Sequence, residues 1–318
     1  MLDGMDDFRG DVAGRPPQMA DSRAAAPLAP DVRPDYDAPT ALSSLLESMG
    51  FGMRKRYGQN FLVRSEVRKR ILALAELGIG SRAWEIGPGI GAMTGLALDS
   101  GAHLTAFEID QGFAELLRGI YGGEPRFELV VGDFLKTWKG AKASSGDPDA
   151  IFGNLPYNAA AAMLASIAEE GVAASRLVFT VQKEAALRIV AAPGAKDYSA
   201  YTVLCRSVYD AKLAFDVGRA SFWPQPRVES SVVLLKPRKA PVMAEDRRGF
   251  SEFTRRCFAT RRKTLRNNLR GSRWGGDAAA DALRSLGLRE DARAEALSPE
   301  ELAGVYRALM EAGAAPRA

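Results

Sequence analysis

The residues best suited to chemistry lie in one stretch, Asn154-Leu155-Pro156-Tyr157, reached through the apolar run Ala150-Ile151-Phe152-Gly153. A strand that stops there delivers an amide, a carbonyl that cannot join a sheet and an aromatic ring to one small volume. That set suits an exocyclic amino group on a flat base. Such an amine is a poor nucleophile, because its lone pair is delocalised into the ring. If Asn154 Oδ1 and the Leu155 C=O each accept one N–H, the nitrogen is held and its developing charge is stabilised. Pro156 lacks an N–H and stiffens the turn into a preorganised acceptor pair. Tyr157 is placed to stack on the base, an interaction worth roughly 1–3 kcal/mol per base in nucleic-acid sites. The motif alone is equally compatible with an ordinary turn holding a half-buried Tyr, so the surrounding elements must decide.

Three earlier segments place polar or glycine residues where strands end. An apolar run over 83–86 leads into Gly87-Pro88-Gly89-Ile90-Gly91, glycines that let a ligand approach the backbone closely. A second strand over 103–107 ends in Glu108-Ile109-Asp110, an acid placed to accept from ribose hydroxyls. A third over 127–131 ends in Gly132-Asp133-Phe134, where a carboxylate can accept an adenine amino group beside an aromatic ring. Open α/β sheets bind ligands at the C-terminal ends of their strands. Helical segments alternate with these strands, which predicts a parallel sheet, and further strands are expected over 177–181, 212–217 and 231–235. Before the last of them, Phe222-Trp223-Pro224-Gln225-Pro226-Arg227 makes a Pro-rich loop whose aromatics could cover the other face of an extruded base.

The chain has 318 residues, room for a sizeable core and two domains. Residues 1–40, rich in Ala, Pro and Asp without apolar period, are expected to be a disordered extension. Residues 41–238 form the α/β domain. From there the pattern is helical only, so 239–318 are read as a small all-α domain, with Ser298 and Glu301 as a capping box. Cys205 and Cys257 stand apart from any Cys/His cluster, which disfavours a disulfide or a metal site and suggests a reducing compartment. With no apolar run of membrane-spanning length and no signal-peptide layout, a soluble cytoplasmic protein is expected. The lone His103 sits at a strand start and is read as structural, which disfavours mechanisms needing a histidine base. Net charge is only +4, but thirteen Lys/Arg fall between Lys236 and Arg273, and Arg54-Lys55-Arg56 makes a second cluster. Such local fields attract phosphate backbones, with Arg54, Lys55, Arg56, Arg255, Arg262, Lys263 and Arg266 as candidate RNA contacts.

With these pieces in place, the chain closely resembles the KsgA/RsmA family, dimethyltransferases acting on two adjacent adenosines near the 3′ end of small-subunit (16S) ribosomal RNA. The resemblance rests on RKRYGQNFL from Arg54, EIGPGIGAMT from Glu85, FEID from Phe107, Gly132-Asp133, GNLPYN from Gly153, VQKE from Val181, FWPQPRVESSV from Phe222 and RRKTLRNNL from Arg261. It implies a class I S-adenosylmethionine-dependent methyltransferase fold, a Rossmann-like seven-stranded sheet whose final strand is antiparallel. It further implies cofactor contacts at Asn60, Leu62, Gly87, Gly89, Glu108, Asp133 and Asn154. The target amine would meet Asn154, Leu155, Pro156 and Tyr157, with Phe222 as second stacking aromatic. The implied partner is 16S rRNA within the immature 30S subunit, met by a monomer. Ala159 to Ala162 depart from the Ile-Ser/Thr-Thr-Pro common in the family. Competing readings are an Erm-like methyltransferase of large-subunit RNA, a DNA N6-adenine methyltransferase, and a small-subunit assembly factor with methylation secondary.

Overall fold

The apolar runs of the sequence become the strands of one seven-stranded sheet. The structure, a computed structural model, describes residues 33–48, 60–156, 159–243 and 245–313. Helix α1 (Pro39–Ser48) precedes a two-residue strand β1 (Phe61–Leu62) and α2 (Ser65–Ala75). Then β2 (Arg82–Ile86), α3 (Thr94–Asp99), β3 (His103–Glu108), α4 (Gln111–Tyr121), β4 (Phe127–Val131), α5 (Phe134–Ser145), β5 (Ala150–Asn154), α6 (Ala160–Glu170) and β6 (Arg176–Gln182) alternate. Helices α7 (Lys183–Val190) and α8 (Ala200–Val208) lead to β7 (Tyr209–Val217), a short β8 (Phe222–Trp223) and β9 (Ser230–Pro237). The remainder is helical: α9 (Arg247–Cys257), α10 (Leu265–Leu269), α11 (Gly276–Ser285) and α12 (Pro299–Glu311).

The sheet order is β4-β3-β2-β5-β6-β9-β7. Strands β2 to β6 are parallel, and β9 runs antiparallel to both β6 and β7. This matches the expected class I methyltransferase sheet. The order reverses between β2 and β5, the switch point at which such sheets bind ligands. Side chains alternate between two cores: Phe152 and Val178 enter one with α2, α3 and α4, while Ile151 and Phe179 enter the other with α5 and α6. Asp110 starts α4 by accepting from Gly112 N (2.9 Å), and Asp133 starts α5 by accepting from Leu135 N (3.0 Å). The Ser298/Glu301 capping box forms as expected, with bonds of 3.1 and 2.7 Å.

Two boundaries differ from the sequence reading. Residues 33–40, expected within the disordered extension, are packed on the α/β domain: Arg33 pairs with Asp99 (2.7 Å), and Tyr36 OH meets Tyr121 OH (3.1 Å). Polar side chains with specific partners fix residues 33–38, while buried Leu42 and Leu46 of α1 anchor them from behind, and a segment fixed by a few polar bonds shows no apolar period. The border at 238 is also not a clean break. The core of α9 to α12 takes in Ala191, Tyr198 and Val203, and Tyr198 OH donates to the Leu297 carbonyl (2.8 Å). Among the described residues no helix is long and apolar enough to cross a membrane.

Gly153 carries the central constraint of the sheet. A Cβ there would run into the Ile86 carbonyl oxygen of β2, a backbone atom that cannot step aside. Gly153→Ala should therefore cost about 1–3 kcal/mol, read as a lower urea midpoint. Gly119→Ala on α4, where nothing lies within 4 Å of the added methyl, should be neutral or stabilising.

Candidate active site

A cavity of about 310 Å³ opens at the C-terminal ends of β2, β3, β4 and β5. The glycine-rich turn after β2 forms one wall. Gly89 has φ +55°, and a Cβ there would stand 3.0 Å from the Phe61 ring, so strand β1 and the turn can meet only at glycine. The Gly89 N–H donates to Glu108 Oε2 (2.9 Å), and the Asp110 N–H donates to Glu108 Oε1 (2.9 Å). Glu108 thus braces the turn from the next strand. Its burial pushes its pKa up to about 7, against the pull of those backbone donors.

Strand β5 supplies the opposite wall. Asn154 Nδ2 donates to the Asn60 carbonyl (2.7 Å), which ties β5 to the residue just ahead of β1. Asn154 Oδ1 is buried with no partner, and Asn154 lines the cavity. Leu155 N–H donates to the Thr180 carbonyl (3.0 Å), continuing the β5–β6 register past the strand end. The Pro156 carbonyl accepts from Ala159 and Ala160 N–H, both at 3.0 Å, and so starts α6. Asp133, half-buried at the end of β4, combines its capping bond with a place on the cavity wall.

Glu85 is the residue that the motif reading left out. It is fully buried within β2 and lines the cavity. Its Oε2 accepts from Thr94 Oγ1 (2.6 Å), while Oε1 has no partner. Burial, only partly offset by Thr94, pushes its pKa up to about 8. The available signal was an acid inside an otherwise apolar strand directly before the glycine turn. Two residues of the cavity wall, Glu85 and Asn154, therefore each carry a buried acceptor oxygen without a partner, a complement to a donor-rich ligand.

Residues 50–311 match the ribosomal RNA adenine dimethylase family. The chain belongs to that family. A Treponema denticola protein named ribosomal RNA small subunit methyltransferase A is 44% identical over 270 residues, covering 83% of this chain and 92% of the relative. Another of that name from Geobacter sulfurreducens is 37% identical, covering 83% and 98%. A crystal structure of a Plasmodium falciparum dimethyladenosine transferase shares the fold with TM-score 0.68 at 22% identity, over 79% of this chain and 97% of that one. The 23S rRNA methyltransferase ErmE aligns with TM-score 0.58 at 25% identity, over 79% and 100%.

Within this family member the cavity gathers Asn60, Leu62, Gly87, Gly89, Glu108, Asp133, Asn154, Leu155 and Pro156 from five distant stretches of sequence into one wall set. Tyr157 and the cluster Arg54, Lys55 and Arg56 lie outside the described residues. Phe222 is 2% exposed in β8, opposite Leu62 of β1, and packs in the core beside Phe61. Lys183 Nζ bridges Asp216 and Glu229, each at 3.0 Å, and so pins the end of the Pro-rich loop to α7 and β7. On the helical domain, Arg255 pairs with Glu169, and Arg266 pairs with Asp277 (2.6 Å). Arg262 and Lys263 are exposed between α9 and α10 and enter none of the ion pairs among the described residues. His103 is exposed at the start of β3, the end of the sheet away from the cavity.

Two carboxyls with raised pKa values make the cavity a source of pH dependence. Each binds its proton more tightly folded than unfolded, so stability is greatest near and below the ordinary value of 4.5 and drains away as pH rises through about 7 and 8. The melting temperature of the ligand-free protein should therefore fall between about pH 5 and pH 8.5. Glu85→Gln should flatten that fall, a result that thermal melts across the pH range would read directly.

Proposed function

We infer that this chain transfers methyl groups from S-adenosylmethionine to N6 of two adjacent adenosines near the 3′ end of 16S rRNA, acting on the small ribosomal subunit. The observation that carries the reading is the buried, partnerless Asn154 Oδ1, held on the cavity wall by the bond from its own Nδ2 to Asn60. A preorganised acceptor of this kind is what a weakly nucleophilic aromatic amine needs.

Bound S-adenosylmethionine supplies a methyl group on a cationic sulfur. The residues present fit such a ligand. The turn after β2 leaves room at Gly87, where an added Cβ would meet nothing nearer than the Asn154 carbonyl oxygen at 3.9 Å, while the space beside Gly89 is taken by Phe61. Glu108 keeps a second lone pair on each oxygen for ribose hydroxyls, and Asp133 offers a carboxylate to a base amine. Glu85, with Oε1 unsatisfied, is a counter-charge for a cationic ligand, whose field would favour its ionised form.

Asn154 Oδ1 and the Leu155 carbonyl would accept the two N6 protons and orient the nitrogen lone pair. After one transfer a single N–H remains, so one acceptor must tolerate a methyl group; Ala159 and Met163 on the cavity wall offer apolar surface there. Each transfer forms the N6–C bond as the sulfonium S–CH3 bond breaks to a neutral thioether, and one N6 proton per transfer passes to solvent, so no histidine base is needed. Tyr157 would stack on the extruded adenine. Phe222 could join as the second stacking ring only by turning out of its place beside Leu62. Arg262 and Lys263 would take RNA phosphates directly, and Arg255 and Arg266 by exchanging an internal carboxylate for one. Exposed pairs of that sort are worth about 0–1 kcal/mol, so the exchange is cheap.

The test is transfer of labelled methyl to unmethylated small subunits, with large subunits in parallel and nucleoside analysis of the product. Dimethyladenosine confined to the small-subunit RNA is expected; label in large-subunit RNA would overturn the assignment of substrate. Asn154→Ala should lower kcat by about 10²–10³-fold while small-subunit affinity stays within about twofold. In filter binding at graded salt, Arg262→Ala with Lys263→Ala should reduce the slope of log K against log salt by about 1 to 2, the loss of two phosphate contacts.

A further inference from the structure

Residues 33–38 precede α1 without regular structure beyond a turn at Tyr36 and Asp37, yet their side chains reach far across the fold. We propose that residues 33–37 are a positioning strap for the cofactor cavity, holding the Gly91 carbonyl through Tyr36 and Tyr121 on one wall and the Leu62 carbonyl through Asp37 and Arg68 on the other.

The first arm runs into the glycine turn. Tyr36 OH lies 3.1 Å from Tyr121 OH, which donates to the Gly91 carbonyl (3.2 Å). Arg33 stands over the Tyr121 ring at 5.5 Å and pairs with Asp99 of α3 (2.7 Å). The turn is shaped around these groups. A Cβ on Gly91 would meet the Tyr121 ring at 3.0 Å and Tyr36 OH at 3.2 Å, and one on Gly95 would meet Tyr121 OH at 2.9 Å and Arg33 Nη1 at 3.0 Å. The two glycines thus leave open the space that the strap and its tyrosine partner occupy.

The second arm runs to β1. Arg68 is 4% exposed; its Nη2 pairs with Asp37 Oδ1 (3.0 Å), and its Nη1 donates to the Leu62 carbonyl (2.9 Å). Its guanidinium also faces the Tyr36 ring at 5.6 Å. Leu62 lines the cavity two residues after Asn60, whose carbonyl holds Asn154. Without Asp37 the buried guanidinium loses its carboxylate, and the β1 backbone loses a fixed donor. The strap is held from behind by Leu42 and Leu46 of α1, 0% and 3% exposed in the same core. Apolar burial therefore anchors the segment, and polar bonds carry its position to both walls.

The binding arm of the test rests on the cavity being the S-adenosylmethionine site; the exchange arm does not. The variant Tyr36→Phe with Asp37→Ala cuts both polar arms and leaves Leu42 and Leu46 in place. In the ligand-free protein, hydrogen exchange at amides 61–63 and 87–93 should accelerate about tenfold, with α9 to α12 unchanged, as losing one or two bonds of about 1 kcal/mol each predicts. Calorimetry with S-adenosylhomocysteine should show affinity weakened about tenfold, and Asp37→Glu should restore part of it. Unchanged exchange at both walls would overturn the proposal. So would a uniform acceleration over the whole molecule with a lower melting temperature, because the segment would then be only a general stabiliser. A wild-type chain that bound no S-adenosylhomocysteine would sink the cofactor reading instead, and the exchange arm would still decide the strap.

Discussion

The bond from Asn154 Nδ2 to the Asn60 carbonyl is the interaction on which the site depends. At 2.7 Å it joins residues 94 apart in sequence and fixes which way the amide points. With the nitrogen committed to a backbone oxygen, Oδ1 remains a buried, unused acceptor on a residue of the cavity wall. An asparagine whose amide could turn freely would present a donor as readily as an acceptor. A weak nucleophile can be held by such a group only if the protein has settled that choice beforehand.

That bond needs β1 to stand beside the end of β5, and β1 is held from several directions. It pairs with β8, it presses Phe61 against Gly89, and its Leu62 carbonyl accepts from buried Arg68. The turn after β2 is similarly braced by Glu108 from β3 and Tyr121 from α4. Each wall thus draws its position partly from residues outside the cavity, Arg68 behind β1 and Tyr121 behind the turn, and the turn partly from Glu108, which also lines the space. The cost is a pair of buried carboxyls that titrate well above their ordinary range, an expense borne by a site rather than by a core.

Much of this was legible in the residues. The parallel strands announced themselves as apolar runs ending in Gly87, Glu108, Gly132-Asp133 and Asn154, because the inner strands β2, β3 and β5, buried on both faces, carry few polar side chains before the chain leaves the sheet, Glu85 being one exception. The edge strand β7 was less legible: it begins at Tyr209, three residues before the expected start, in a stretch where exposed polar residues interrupt the apolar pattern. The β1–β8 ladder was invisible, since two residues per strand carry no period. Pairing also explains Phe222, whose type suggested a stacking ring but whose register with Leu62 turns it into the core. Glu85 was masked by its own strand, and the helical domain's share of Tyr198 and Val203 by sequence distance.

Strand β9 runs against its neighbours, so its first residue, Ser230, lies opposite Gln182 at the end of β6. A parallel strand would have brought its last residue there. The reversal delivers the segment 218–229, which enters β9, to the same rim as the loops that leave β2 to β5. The two halves of the sheet therefore furnish the rim by opposite directions of chain travel. Insertions over 224–229, beyond the β8 residues that hold β1, can remodel what the rim admits while the turn after β2 keeps its shape. Selectivity for a polymer and capacity for a small cofactor become separately heritable traits of one sheet.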